Sequence, residues 1–288
     1  MGWAESKHLT ATTWGVVKTQ RPLWSLVIRG AVAAAVVGLV PAVAGIALLA
    51  TEGTALKALG VVLLVVGGVL SATVWMIHAG ALAHAADEAL RTGTSPAARD
   101  ALAATKGHRG ALFGWAVITV AVGWLLSAVR GDSGGGLVGI VRVLGAGLLA
   151  AAWSVLTFFV VPVIVLEGAG PIDAIKRSAS LLRERWGTQV AGNIRIGGLV
   201  ALLAILPAIA LVVGGVFLTS IGDDAAAIGG GLLFLVGVLV FMVGMIVLSA
   251  LRAVFGVALY RYAGTGAPVG PFSPADLGGA VRTRPATI

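Results

Sequence analysis

The chain has no cysteine and very little charge: of 288 residues, 11% are Asp, Glu, Lys or Arg and 6% are aromatic. Without cysteine there is no disulfide framework, no thiolate nucleophile and no thiolate-bound metal. A soluble domain carries about 25% charged residues and about 45–50% apolar ones, so a chain this poor in charge cannot cover a water-facing surface. Soluble enzymes, disulfide scaffolds, nucleic-acid-binding domains and disordered segments are excluded together. HExxH and phosphate-loop motifs are also absent, as is any pair of carboxylates inside an apolar run of the kind that carries protons in ion-coupled transporters. These absences point to a non-enzymatic protein with no cofactor and no metal.

What remains is apolar. Hydrophobic residues make up 58% of the sequence and glycine supplies 42 positions, with a mean hydropathy of +1.02. This is the composition of an integral membrane protein. The net charge of +8 fits the Lys/Arg excess that membrane proteins keep on their cytoplasmic side, so no nucleic-acid partner is expected.

A helix needs about 20 apolar residues to cross a hydrocarbon core of about 30 Å. Six runs qualify, at 23–50, 58–82, 111–129, 137–166, 196–218 and 231–259. None alternates as barrel strands do. The predicted fold is therefore all-α and polytopic, with six transmembrane helices over 23–259. An N-terminal amphipathic helix (1–22) and a C-terminal tail (260–288) flank them. The run from 23 is too long for a signal-peptide core, so the N-terminal segment is expected to be retained.

Segments 1–22, 83–110, 167–195 and 260–288 hold three, four, five and three Lys/Arg, fifteen of the twenty present. The opposite loops are short and carry Glu52, Asp132, Asp223 and Asp224 beside only Lys57 and Arg130. That asymmetry predicts both termini on the cytoplasmic side. With Arg outnumbering Lys fifteen to five and abundant Ala and Gly, codon bias points to a GC-rich bacterium, hence to a bacterial cytoplasmic (inner) membrane.

The long connections predict helices of their own. Pro171 and Asp173 suit a first helical turn, and Ile172, Ile175, Ala179, Leu182 and Trp186 follow as one apolar stripe. Lys176, Arg177, Arg183 and Arg185 make this helix basic, suited to anionic lipid headgroups or to a membrane-protein partner. Trp3, Thr10, Trp14 and Val17 form a similar N-terminal stripe. Ser95-Pro96 reads as a cap and start for a helix ending at Gly107.

A repeat of amphipathic helix plus two spans is suggested by an offset of 166, which pairs Arg29 with Arg195 and Pro41 with Pro207. Gly230, Gly237 and Gly244 fall on one helix face, a packing seam within the bundle or between two copies. Pro41, Pro162 and Pro207 lie inside spans, where they remove hydrogen bonds and can bend helices around a cavity. Arg29, Arg142 and Arg252 lie near span ends and can snorkel; His78 suits a hydrogen bond to another helix. His84, Asp87 and Glu88 share a face, but solvated charge explains them better than a metal does.

One stretch carries a resemblance. Trp153 to Ser178, WSVLTFFVVPVIVLEGAGPIDAIKRS, together with Trp186-Gly187, Gly192-Asn193 and Ala258-Leu259-Tyr260-Arg261-Tyr262, resembles the signature of a family of uncharacterised six-span prokaryotic membrane proteins. It is more loosely similar to the membrane domain fused to some glycerophosphodiester phosphodiesterases, without their catalytic domain. The resemblance implies a six-helix membrane fold and brings no substrate, cofactor or catalytic residue. The expectation is a membrane scaffold or a lipid- or partner-interacting protein. The alternative is a small-molecule or lipid transporter or channel with a midplane cavity.

Overall fold

The computed structural model describes residues 3–130, 137–186, 205–221 and 224–279, and these are largely helical, with no strand among them. In chain order the helices are α1 (Trp3–Thr19), α2 (Arg21–Leu49), α3 (Thr54–Thr92), α4 (Ala98–Ala104), α5 (Arg109–Arg130), α6 (Leu137–Leu156), α7 (Val160–Glu167), α8 (Pro171–Trp186), α9 (Leu206–Thr219), α10 (Asp224–Thr265) and α11 (Pro274–Gly279). Five helical segments are long and apolar enough to cross a membrane: Arg21–Leu49, Thr54–Thr92, Lys106–Val129, Val141–Glu167 and Asp224–Thr265. The expected span 196–218 is represented by the shorter α9. Residues 196–204 lie outside the described residues, as do Arg195, loop residues 131–136 and tail residues 280–288.

Two helices far exceed a bilayer. α3 has 39 residues and α10 has 42, roughly 60 Å each at about 1.5 Å per residue, about twice the hydrocarbon thickness. Their excess lies at their C-terminal ends, where the buried residues are concentrated. Ala81–Ala83, Ala85–Ala86, Ala250–Leu251 and Val254–Tyr260 furnish much of the core, and there they meet α1, α5, α7, α8 and α11. The opposite halves of the spans present Val36, Leu39, Val40, Val43, Leu148 and Val243 outward. Between 141 and 156, only Ala146 is buried. One end of the bundle is a packed core with charge on it, and the other is apolar surface of the kind acyl chains cover.

The expected single span 137–166 is two helices, α6 and α7, with a break at 157–159. Pro162 explains the position: it has no N–H to give the Phe158 carbonyl, and its ring crowds that carbonyl. Ser178 of α8 fills in for the lost bonds. Its hydroxyl donates to the Leu156 carbonyl (2.7 Å) and accepts from the Phe159 amide (3.1 Å).

The helix expected from Ser95 starts instead at Ala98, without a side-chain cap, and a 3-10 turn runs through Gly107. Gln20 holds the preceding loop: its amide nitrogen donates to the Gly93 carbonyl, and its oxygen accepts from the Ser95 amide, both at 2.9 Å. Ser95 is thus held through its backbone, and its hydroxyl is buried.

α2–α3 and α9–α10 are two hairpins built alike. The register that relates them is 170, not the 166 suggested by the prolines. α2 ends at Leu49 and α9 at Thr219, and α3 starts at Thr54 and α10 at Asp224. The seams match as well. A Cβ on Gly60 would meet the Gly45 carbonyl oxygen at 2.7 Å, and one on Gly230 would meet the Gly215 carbonyl oxygen at 2.7 Å. Gly67 abuts Pro41, and Gly237 abuts Leu211, the residue in the same register. Without strong hydrophobic drive between helices in lipid, such backbone approach is what holds a hairpin together.

Candidate functional site

The charged end of the bundle is built from residues that lie far apart in sequence. Asp87, on the C-terminal extension of α3, is 4% exposed. Arg261 of α10 donates to it through both Nε and Nη2, at 2.5 and 2.6 Å from the two carboxylate oxygens. Arg91, one turn further along α3, adds a longer contact at 3.8 Å. A planar guanidinium fork on a carboxylate is the strongest form of such a pair, and it offsets the cost of burying the Asp87 charge. The neighbouring residue on α10, Tyr260, donates its hydroxyl to Oε1 of Glu167 at 2.8 Å. Glu167 also accepts from Arg177 Nε at 3.4 Å. The sequence leaves Glu167 alone at the end of its span; in the structure it joins α7, α8 and α10.

Those contacts change the meaning of the His84, Asp87 and Glu88 face. Asp87 is engaged by two arginines, and among the described residues no group of three His, Asp or Glu side chains converges on a point that could hold a metal. His78 also differs from expectation: its Nδ1 pairs with the Val74 carbonyl of its own helix at 2.8 Å, while its side chain lies against Gly30 of α2.

At the same end, Ser273 and Asp276 cap α11 reciprocally. The Asp276 amide donates to the Ser273 hydroxyl, and the Asp276 carboxylate accepts from the Ser273 amide and hydroxyl. His8 of α1 lies 3.3 Å from the same carboxylate, tying the N-terminal helix to the C-terminal one. Burial alone would raise the Asp276 pKa. The bonds from Ser273 and the nearby His8 outweigh it and hold the carboxyl below its ordinary value.

Helix α8 crosses this end. Its N-terminus follows from sequence: Gly168 takes a left-handed turn (φ 74°) after α7, and Pro171 opens the helix. The side packed on the protein is Ala174, Ser178, Leu181 and Leu182. That is not the stripe the spacing picks out. Ile172 is 54% exposed, Ile175 and Ala179 are half-buried, and among the described side chains of that stripe only Leu182 is fully in the core. The reason is Ser178, a polar residue that spacing counts against burial but whose hydroxyl the α6–α7 break draws inward. α1 behaves in the same way. It buries Leu9, Thr13 and Val17 and leaves Trp14 39% exposed, its ring edge-on to Trp24 at 5.6 Å.

The basic residues of α8 are not equivalent. Lys176 and Arg183 are exposed and line a groove together with Ala179, Ser180 and Glu184. Lys176 also lies 3.5 Å from Asp173, with both side chains well exposed, a pairing that water weakens. Arg177 points to Glu167. The side chain of Arg185 lies outside the described residues.

The other residues singled out by sequence are placed as follows. Gly230, Gly237 and Gly244 are buried on α10, and the first two face α9. Pro41 sits within α2 against Gly67, Pro162 in the first turn of α7 just after the break, and Pro207 in the first turn of α9. The Asp87–Arg261 pair, the Tyr260–Glu167 bond, the Gln20 clasp and the Ser178 bridge went unread because their partners are 19 to 174 residues apart. The adjacent Tyr260-Arg261 at the exit of the last span was their nearest sequence signal.

No curated protein matches the chain. Residues 58–270 match the model of a family of unknown function, DUF6159, and since that match covers well over half of the sequence, the chain belongs to that family.

Proposed function

We propose that the protein is a non-enzymatic, multi-pass component of a bacterial cytoplasmic membrane, a scaffold that engages anionic lipid headgroups or a membrane partner through α8. In this reading it has six spans, both termini face the cytoplasm, and the charged end of the bundle is the cytoplasmic one. The observation that carries it is α8 itself. This helix is fixed across the packed end by Ala174, Ser178, Leu181 and Leu182, and it turns an exposed Lys176 and Arg183 outward beside half-buried apolar residues. A helix of that make-up belongs at a membrane–water boundary.

Two experiments test this reading. Reporter fusions at either terminus should report a cytoplasmic location, and an external signal from one of them refutes the orientation. Neutralising Lys176, Arg177, Arg183 and Arg185 together should reduce the anionic lipid or the partners recovered with protein extracted from intact membranes. Unchanged recovery of both refutes the engagement.

A further inference from the structure

The stripe of α8 that sequence assigns to the core is the one the fold leaves partly uncovered, and its neighbours decide what covers it. At about 100° per residue, the order around the helix is fixed. First comes the packed side of Ala174, Ser178, Leu181 and Leu182. Next come Ile175, Ala179 and Ile172, then Arg183 and Lys176, then Ser180. Asp173 and Glu184 follow, and last comes Arg177, turned to Glu167. The apolar strip and the two outward cations are therefore adjacent; of the exposed acids, Asp173 lies 3.5 Å from Lys176 and Glu184 lines the same groove as the cations. Arg183 has no ion-pair partner among the described residues, and the Asp173 partner of Lys176 is well exposed.

We propose that the groove bordered by Lys176, Ser180 and Arg183 is a binding site for the phosphate of an anionic phospholipid headgroup, with Ile172, Ile175 and Ala179 lying against the upper acyl chains of the same leaflet. Lys176, Ser180 and Arg183 stand at i, i+4 and i+7, one above another on a single helix face. The two cationic side chains match a phosphate's acceptor oxygens, while the Ser180 hydroxyl, which donates to the Arg177 carbonyl at 3.1 Å, only borders the groove. Arg177 takes no part, because Glu167 and, through it, Tyr260 hold it on the protein side. The proposal rests on the membrane-boundary reading of α8 and narrows its four cations to two.

The test uses the full chain in detergent micelles, titrated with dioctanoyl phosphatidylglycerol, dioctanoyl phosphatidylcholine or inorganic phosphate and read by native mass spectrometry. The Lys176→Gln/Arg183→Gln pair should weaken phosphatidylglycerol binding about thirtyfold, roughly fivefold for each cation. Arg177→Gln should change it less than about twofold. Three results overturn the site. One is a pair variant that binds like the parent. Another is an Arg177→Gln loss as large as the pair's. The third is phosphatidylcholine or free phosphate binding as tightly as phosphatidylglycerol, since the groove would then read no anionic lipid.

Because the chain has no cysteine, single Cys residues at 172 and 184 can each carry one fluorophore in nanodiscs. Brominated lipid should quench the label at 172, and aqueous iodide the label at 184; the reverse pattern refutes the placement without relying on any charge variant. If neutralising all four cations releases anionic lipid but the pair does not, the membrane-boundary reading survives and this site fails. If neither does, both fail.

Discussion

Arg91 and Arg261 stand at the same register in two hairpins offset by 170 residues, and both reach the carboxylate of Asp87. Val257, the residue that matches Asp87 on α10, is fully buried and apolar. One acid therefore serves two equivalent arginines, and the junction between α3 and α10 is asymmetric although the hairpins that meet there are alike.

That asymmetry predicts unequal costs. Arg261→Ala leaves Asp87, whose side chain is 5% exposed, with only the longer contact to Arg91, whereas Asp87→Ala frees Arg261, whose side chain is 32% exposed and can turn to water. The first should destabilise the protein by about 3 kcal/mol and the second by less. The double variant should cost less than the sum. Unfolding in mixed detergent micelles measures all three.

Tyr260→Phe removes the hydroxyl that Glu167 accepts at 2.8 Å, a bond to an ionised partner worth about 2 kcal/mol. Arg177→Gln should cost under about 1 kcal/mol, because both partners of that pair are partly in water. The same unfolding assay would contradict this arrangement if Arg177→Gln proved the costlier change.

Glycines in the seams and glycines outside them should respond with opposite sign. A side chain at Gly60 or Gly230 must displace a carbonyl oxygen 2.7 Å away, so Ala there should destabilise by about 1–3 kcal/mol. Added Cβ atoms at Gly145 and Gly147 meet nothing within 4 Å. Ala at those positions should be neutral or stabilise by about 0.5–1 kcal/mol through helix propensity.

The Asp276 carboxyl is held below its ordinary pKa by Ser273 and His8, against the opposing effect of burial. A depressed folded-state value means that its stabilisation is fully present above the unfolded value of about 3.9. It is then lost as pH falls through the folded one. The attachment of α11 should therefore loosen as pH falls below about 4. Asp276→Asn should remove that acid dependence, as read by hydrogen exchange over 272–279.

The apolar runs placed both ends of α2 and α5 within two residues, whereas α3 runs ten residues past its expected end and α10 extends seven and six residues beyond its expected bounds. Length alone explains the helices, because nothing but a helix satisfies so many consecutive backbone groups in lipid. The break at 157–159 was hidden, although Pro162 marks it, because a proline in a membrane helix bends it more often than it ends it. The rotation of α8 was hidden for a different reason. Ile172 outranks Ser178 on any hydropathy count, yet Ser178 is completely buried because two backbone groups of another helix require its hydroxyl. The site at the charged end depends on which acid meets which arginine, and no local pattern encodes a pairing 174 residues long.

The matching seams have a bearing on how the molecule came to be and how it can be rebuilt. Two helices that lock through the same three glycines, turn over connections of equal length and end in equivalent arginines form one module used twice, the product expected of a tandem duplication. Modules of this kind are interchangeable. A chimera carrying the 45–67 stretch in both places should still insert and close its second hairpin, whereas transplanting Asp87 into that copy would create a rival anchor for the arginines.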